Sequence, residues 1–177
     1  IRQLKGTAGI GHTRYSTTGS KDACLLQPFV SADGRITIAH NGNILNCHRL
    51  AHAITAQSPQ ALLTDSDTEV ILHLLQAGLQ QFGHSLSGLQ QALQSMSQTL
   101  VGSYSVVGYV QDLGLIAFRD PNGLRPLLMG RRAVDSCFKN GHPAIGLASE
   151  SVALEFLAFE QLEDILPGEC VVVSDVG

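Results

Sequence analysis

Two helical patterns lie back to back in the middle of the chain, with strand-like stretches on both sides of them. In "SDTEVILHLLQAGLQQFG" (66–83) the apolar residues Val70, Ile71, Leu74, Leu75 and Leu79 recur at the spacing of one helix face, and Gly83 closes the pattern. "SLSGLQQALQSMSQTL" (85–100) does the same, with Leu86, Leu89, Leu93 and Met96 on one side. Ahead of them come a strand in "AGIGHTRYS", the polar loop "TTGSKDA", a strand in "GRITIAHNG" and a helix from about Leu45 to Ala56. Behind them "SYSVVGYV", "GLIAF", "RPLLMG", "AIGLASE" and "ECVVVSD" are strands, interrupted by a short helix in "SVALEFLAF" whose apolar positions run nearly all round. Strands, two helices and strands again depart from the βαβα alternation of a doubly wound sheet. The order predicts an α+β sandwich of sheets with helices packed outside. No linker or internal repeat divides the 177 residues, a length that suits one domain with a sizeable core.

Composition narrows the partners. Charged residues are 15% of the chain and the net charge is −4, with 11 Lys and Arg and no basic run. That leaves no electrostatic footprint for nucleic acid or an anionic membrane. The longest apolar runs, such as Cys170–Val173, are far too short for a membrane span, and "IRQLKGTAGIGHTRY" has no apolar segment of the secretory type. The four cysteines, Cys24, Cys47, Cys137 and Cys170, show no C-x-x-C spacing. A disulfide framework and a zinc site are therefore not expected, no metal ligands are assigned, and a cytoplasmic location with reduced thiols is.

Three short segments could carry chemistry. "HNGNIL" (40–45) puts Asn-Gly where a strand passes into a helix, so the pair is not making a hairpin. The side-chain amide of Asn41 and the backbone N–H of Gly42, approachable for lack of a Cβ, would make a two-donor oxyanion site; the structural alternative is a tight strand-to-helix turn. "GHTRYSTTG" (11–19) places Arg14 and Thr17 together, a guanidinium fork and a hydroxyl suited to a small carboxylate, or else a solvated strand-end arginine. In "DSDTEVIL", Ser66 and Glu69 form a capping box, which leaves the first-turn carboxylate of Asp67 free to accept from a ligand ammonium, or simply to favour the helix dipole. A carboxylate clamp, an ammonium acceptor and an oxyanion hole together would be a complete binding set for amide hydrolysis of a free amino acid, a description that glutamine fits.

The segments "GIGHTRYSTTGS", "QPFV", "IAHNGNI", "SDTEVILHLL", "GSYSV", "RDPNGLRPLLMG", "ASES" and "ILPGECVVV" occur in this order along nearly the whole chain. In them the sequence resembles the class II glutaminase domain of the amidophosphoribosyltransferases, which open purine biosynthesis. The resemblance implies an N-terminal nucleophile hydrolase fold, a four-layer αββα sandwich of mainly antiparallel sheets. It implies that Arg14, with Thr17 nearby, binds the α-carboxylate of L-glutamine, that Tyr15 lines the pocket, that Asp67 accepts the α-amine, and that Asn41 and Gly42 form the oxyanion hole. It implies ammonia transfer to phosphoribosyl pyrophosphate in a homo-oligomer, a tetramer. Mg²⁺ would belong to a downstream phosphoribosyltransferase domain and an iron–sulfur cluster to some full-length members, neither to these residues.

The family's nucleophile is an N-terminal cysteine whose own α-amine, with an ordinary pKa of about 7.7–8.0, serves as base. The chain as given starts at Ile1, so no nucleophile is assigned, and residues 1–177 are expected to be a glutaminase domain lacking its cysteine segment and its downstream domain, inactive alone. Cys24 and Cys47 cannot supply an N-terminal amine. The glutaminase domain of glucosamine-6-phosphate synthase shares similar "GHTR" and "SDTE" motifs, whereas Thr18 in "YSTTGS" and the stretch "RDPNGLRPL" look like the purine enzyme. A third reading is a glutamine-binding or interaction module without catalysis.

Overall fold

The computed structural model describes residues 6–13, 25–58, 61–133 and 143–174. Its centre is a pair of nine-residue antiparallel strands, β2 (Ile36–Ile44) and β3 (Gly102–Val110), aligned from Ile36 opposite Val110 to Ile44 opposite Gly102. Around them β1 (Phe29–Val30), β4 (Gly114–Arg119) and β8 (Cys170–Val173) complete a five-stranded sheet in the order β1-β2-β3-β4-β8. A three-stranded sheet, β6 (Ala144–Ala148), β5 (Leu128–Arg132) and β7 (Glu160–Asp164), has the order β6-β5-β7, and every pairing in both sheets is antiparallel.

Alternation along the central strands sends side chains to two different cores. Ile36, Ile38, Val106, Val110, Ile116 and Phe118 are buried against the helices α2 (Asp67–Phe82) and α3 (Leu86–Thr99), whose Ile71, Leu75, Leu79, Leu89 and Met96 meet them. On the other face Val107, Ala117 and Val171 join Leu127, Met129, Leu147 and Ile165 between the two sheets. A sheet covered on both faces needs apolar residues at consecutive positions, which is why "SYSVVGYV" alternates so weakly. The helices α2 and α3 approach closely at Gly78, where a Cβ would lie 2.6 Å from that of Ala92. The helix α1 (Cys47–Gln57) follows β2, and α4 (Ser151–Phe156) lays Leu154 over Gly130 and Gly146 on the outer side of the small sheet. Helices, sheet, sheet and helix make the four layers of the expected αββα sandwich.

The structure departs from the sequence reading at several points. Residues 8–13, expected to start a strand, carry none, and the rest of that segment lies outside the described residues. The strand β2 runs on through His40-Asn41-Gly42 to Ile44, and α1 starts at Cys47 rather than Leu45. The strands β1 and β7 had no visible pattern: one has two residues, and the other shows only one partly buried position, Leu162, in "EQLED". Leu86, placed on the apolar side of α3, is 60% exposed because it opens the helix at its N-terminal edge. In α4 Leu154 alone is buried, so its other apolar residues face outward.

Substituting Leu75→Ala, fully buried between α2 and the central sheet, is expected to cost about 2–5 kcal/mol of stability, against within about 0.5 kcal/mol for Leu86→Ala. Urea unfolding of the two variants checks both.

Candidate active site

Hydrogen-bond phase decides what the end of β2 presents. The Leu45 N–H bonds the Val101 carbonyl and the Gln111 N–H bonds the Arg35 carbonyl, each 2.8 Å, so the odd-numbered residues of this strand exchange bonds with β3. The even-numbered amides point the other way, past β1. Ile36 N–H donates to Ser31 Oγ at 2.9 Å, and Ile38 lies opposite Phe29 of β1. His40 N–H donates to Gln27 Oε1 at 2.6 Å while its carbonyl accepts from Gln27 Nε2 at 3.1 Å. Ile44 N–H donates to Asp67 Oδ2 at 3.2 Å. Between them the Gly42 N–H has no partner among the described residues.

The local sequence accounts for this. A Cβ on Gly42 would collide with the Ser103 carbonyl oxygen and lie 2.7 Å from His40 Nε2, and the residue has φ +154°, so only glycine fits. Asn41 points to the opposite face, half-buried, and its amide makes no hydrogen bond among the described residues. Asn41 and Gly42 are thus not a strand-to-helix turn, the structural alternative for the pair, but lie inside a strand in which the Gly42 N–H and the Asn41 side-chain amide are unclaimed among the described residues.

Asp67, the first residue of α2, is not free of the protein either. Its carboxylate accepts from Ile44 N–H, and Oδ1 lies 3.5 Å from Nδ1 of His40, a ring 2% exposed that also meets Thr68 Oγ1 at 3.4 Å. Burial pushes the Asp67 pKa up, but the His40 ring and the N–H groups of Ile44 and Thr68 outweigh it and hold the carboxyl below its usual range. The side chain keeps 25% of its surface exposed, and a carboxylate has room for further donors. The expected capping box is half formed. Ser66 Oγ accepts from Thr68 N–H, whereas Glu69 accepts from the amides of Leu63 and Thr64 and from the Thr64 hydroxyl, tying down the loop before α2.

On the Asn41 face the register aligns Asn41, Ser105 and Arg119 across three strands. Ser105 Oγ donates to the Arg125 carbonyl at 3.0 Å. Arg119 donates to the same carbonyl and to those of Ile165 and Gly123, at 2.8 and 2.7 Å for the last two. Asp120, fully buried, accepts from the amides of Tyr104, Asn122 and Leu124. These bonds fix the loop 120–126 beside Asn41. The sequence showed turn chemistry in "RDPNGL" but not these tertiary bonds; His40 and Gln27 likewise went unassigned, though both lie within the segments "IAHNGNI" and "QPFV".

Arg14, Tyr15 and Thr17 lie outside the described residues, as do Cys24 and Cys137. Cys47 stands near Asp67, and burial, with the charges of Asp67 and Asp65, raises its thiol pKa; burial and Glu169 push that of Cys170 up to about 11. Both remain thiols at neutral pH, poor nucleophiles. Among the described residues no group of three or more His, Cys, Asp or Glu side chains gathers in a way that could hold a metal, and no helix is long and apolar enough to cross a membrane.

With an unclaimed amide, an adjacent side-chain amide and a carboxylate gathered at the end of one strand, the comparison with known proteins is direct. A model of the glutamine amidotransferase domain matches residues 12–154, and the chain belongs to that family. The amidophosphoribosyltransferase of Escherichia coli (strain K12) is 37% identical over all of this chain, and that of Archaeoglobus fulgidus 38% over 97% of it; the chain covers 35% of each. The solved structure of glutamine phosphoribosylpyrophosphate amidotransferase from B. subtilis, complexed with ADP and GMP, superposes with a TM-score of 0.69 at 30% identity, over 94% of this chain and 32% of that one. The chain spans about a third of the length of these relatives.

Because its folded pKa is depressed, Asp67 contributes stability that is complete above its unfolded value, near 3.8, and is lost as pH falls through the lower folded value. An acid titration of stability is expected to fall less steeply below pH 3.8 in Asp67→Asn than in the unsubstituted protein.

Proposed function

We propose that this chain is the glutaminase part of an amidophosphoribosyltransferase, which hydrolyses L-glutamine and delivers the ammonia to phosphoribosyl pyrophosphate to give 5-phosphoribosylamine, the first step of purine biosynthesis. The observation that carries the reading is the Gly42 N–H, unclaimed among the described residues between the satisfied amides of His40 and Ile44 and next to the side-chain amide of Asn41, likewise without a partner among them. Relatives that bear this enzyme's name and match the chain end to end support the purine assignment over the hexosamine one.

The chemistry follows from the residues. Arg14, with Thr17, takes the glutamine α-carboxylate, Tyr15 lines the pocket and Asp67 accepts the α-ammonium, which sets the side-chain amide over the end of β2. Attack by the N-terminal cysteine typical of the family moves charge onto the amide oxygen. Gly42 N–H and Asn41 Nδ2 are the donors for that oxyanion, and they act where charge develops rather than on the ground state. Collapse expels ammonia and leaves a thioester, which water cleaves to glutamate. No nucleophile is assigned among residues 1–177, no step runs through a metal, and Mg²⁺ and any iron–sulfur cluster would serve other parts of the enzyme. A cytoplasmic homo-oligomer, a tetramer, is the setting proposed for it.

In the full-length protein Asn41→Ala is expected to lower kcat for glutamine hydrolysis about 100-fold or more with KM little changed. Arg14→Ala and Asp67→Asn are expected to act chiefly on KM. Steady-state kinetics separate the two patterns. Release of pyrophosphate from phosphoribosyl pyrophosphate with glutamine identifies the acceptor; a full-length protein that aminates another sugar phosphate instead would overturn the purine reading, and one that binds glutamine without hydrolysing it would leave a binding module.

A further inference from the structure

We infer that Gln27 is a positioning residue for the oxyanion donor: its side-chain amide takes the place of a strand opposite His40, and so ends the sheet edge one step before Gly42. This rests on the reading of Gly42 N–H as an oxyanion donor.

The register makes the case. The strand β1 is antiparallel to β2 with Phe29 opposite Ile38 and Val30 opposite Thr37. Carried two residues further, this register sets Gln27 opposite His40, and carried four it would set Leu25 opposite Gly42. A backbone ladder continued that far would claim the Gly42 N–H, because antiparallel strands bond every second residue. The backbone ladder instead begins only at Phe29. The primary amide of Gln27, one donor and one acceptor in the same plane, meets the His40 carbonyl at 3.1 Å and the His40 N–H at 2.6 Å, the two bonds a strand residue would have made. A side chain can do this for one residue and then stops. The Gly42 amide, two residues on, is left open among the described residues, while that of Ile44, two further, is taken by Asp67.

The device satisfies two competing demands. Edge amides of a buried strand must be paired, since an orphaned donor is costly. An oxyanion donor must be unpaired until the reaction and held within tenths of an ångström. Gln27 and Asp67 pin the strand on either side of Gly42 without covering it. Of the side chains with this reach, only a primary amide such as Gln both donates and accepts in that geometry without charge.

The test uses the full-length protein, with glutamine hydrolysis and glutamate binding measured on Gln27→Met, Gln27→Glu and Asn41→Ala. Gln27→Met keeps the length of the side chain and loses both bonds, and is expected to lower kcat roughly 10-fold or more with KM within about threefold and glutamate binding unchanged, because a donor displaced by a fraction of an ångström fails in the transition state before it fails in binding. Gln27→Glu keeps the acceptor for His40 N–H and loses the donor, and decides by the same split of kcat from KM should the Met variant not fold. Unchanged kcat in the Gln27 variants alongside a large loss in Asn41→Ala would overturn the role of Gln27 while leaving the oxyanion site standing. Parallel loss of kcat and glutamate binding would make Gln27 merely structural. Unchanged kcat in Asn41→Ala would sink the oxyanion reading itself.

Discussion

The pairing of β2 with β3 is the interaction on which the rest of the molecule depends. Nine residues on each strand run in unbroken register, and through it the two faces of the sheet are sorted into the helical core on one side and the inter-sheet core on the other. A slip of one residue would exchange the faces of every side chain in β2, sending Ile36 and Ile38 to the wrong core. It would also exchange the amides, so that Gly42 N–H would bond β3 and cease to be available. Packing and chemistry are set by the same register.

The end of β2 shows how neighbouring amides at a sheet edge can be satisfied by side chains. Hydrogen bonds to Gln27 and Asp67 satisfy the amides on either side of Gly42, and the buried ring of His40 fills the space that a Cβ on Gly42 would enter. Beside them, Arg119 and Asp120 spend their charged groups on backbone atoms, most of them in the loop 120–126, with the Ile165 carbonyl and the Tyr104 amide as the partners outside it. Charge-assisted bonds of that kind are about twice as strong as neutral ones, which suits a loop that must not shift beside Asn41. The strand end thus carries an N–H, that of Gly42, unclaimed among the described residues and bracketed by satisfied neighbours.

The helical face of residues 70–79 and the order of strands and helices were legible because apolar spacing reports burial directly. Leu75 and Leu79 are among the most buried side chains of the chain, and the α+β sandwich follows from strands and helices being segregated. The strand β1 was not legible, since two residues carry no period, and Leu86 misled because periodicity assigns a face without knowing where a helix leaves its core. Glu69 is a similar case. Its spacing from Ser66 suits a capping box, but the amides of Leu63 and Thr64 compete for the same carboxylate and win.

What the sequence by itself determined is the chemistry on offer: an Asn-Gly pair, a first-turn Asp67, and an arginine three residues from a threonine. Tertiary structure decided which of these groups are committed and which are open. Asp67 proved to be shared with Ile44 and His40, the Asn-Gly pair proved to lie within a strand, and Gln27 proved to stand in for a strand neighbour. The physical reason is that a hydrogen bond's partner is chosen by register and by distance across the fold, and neither quantity is written in local spacing.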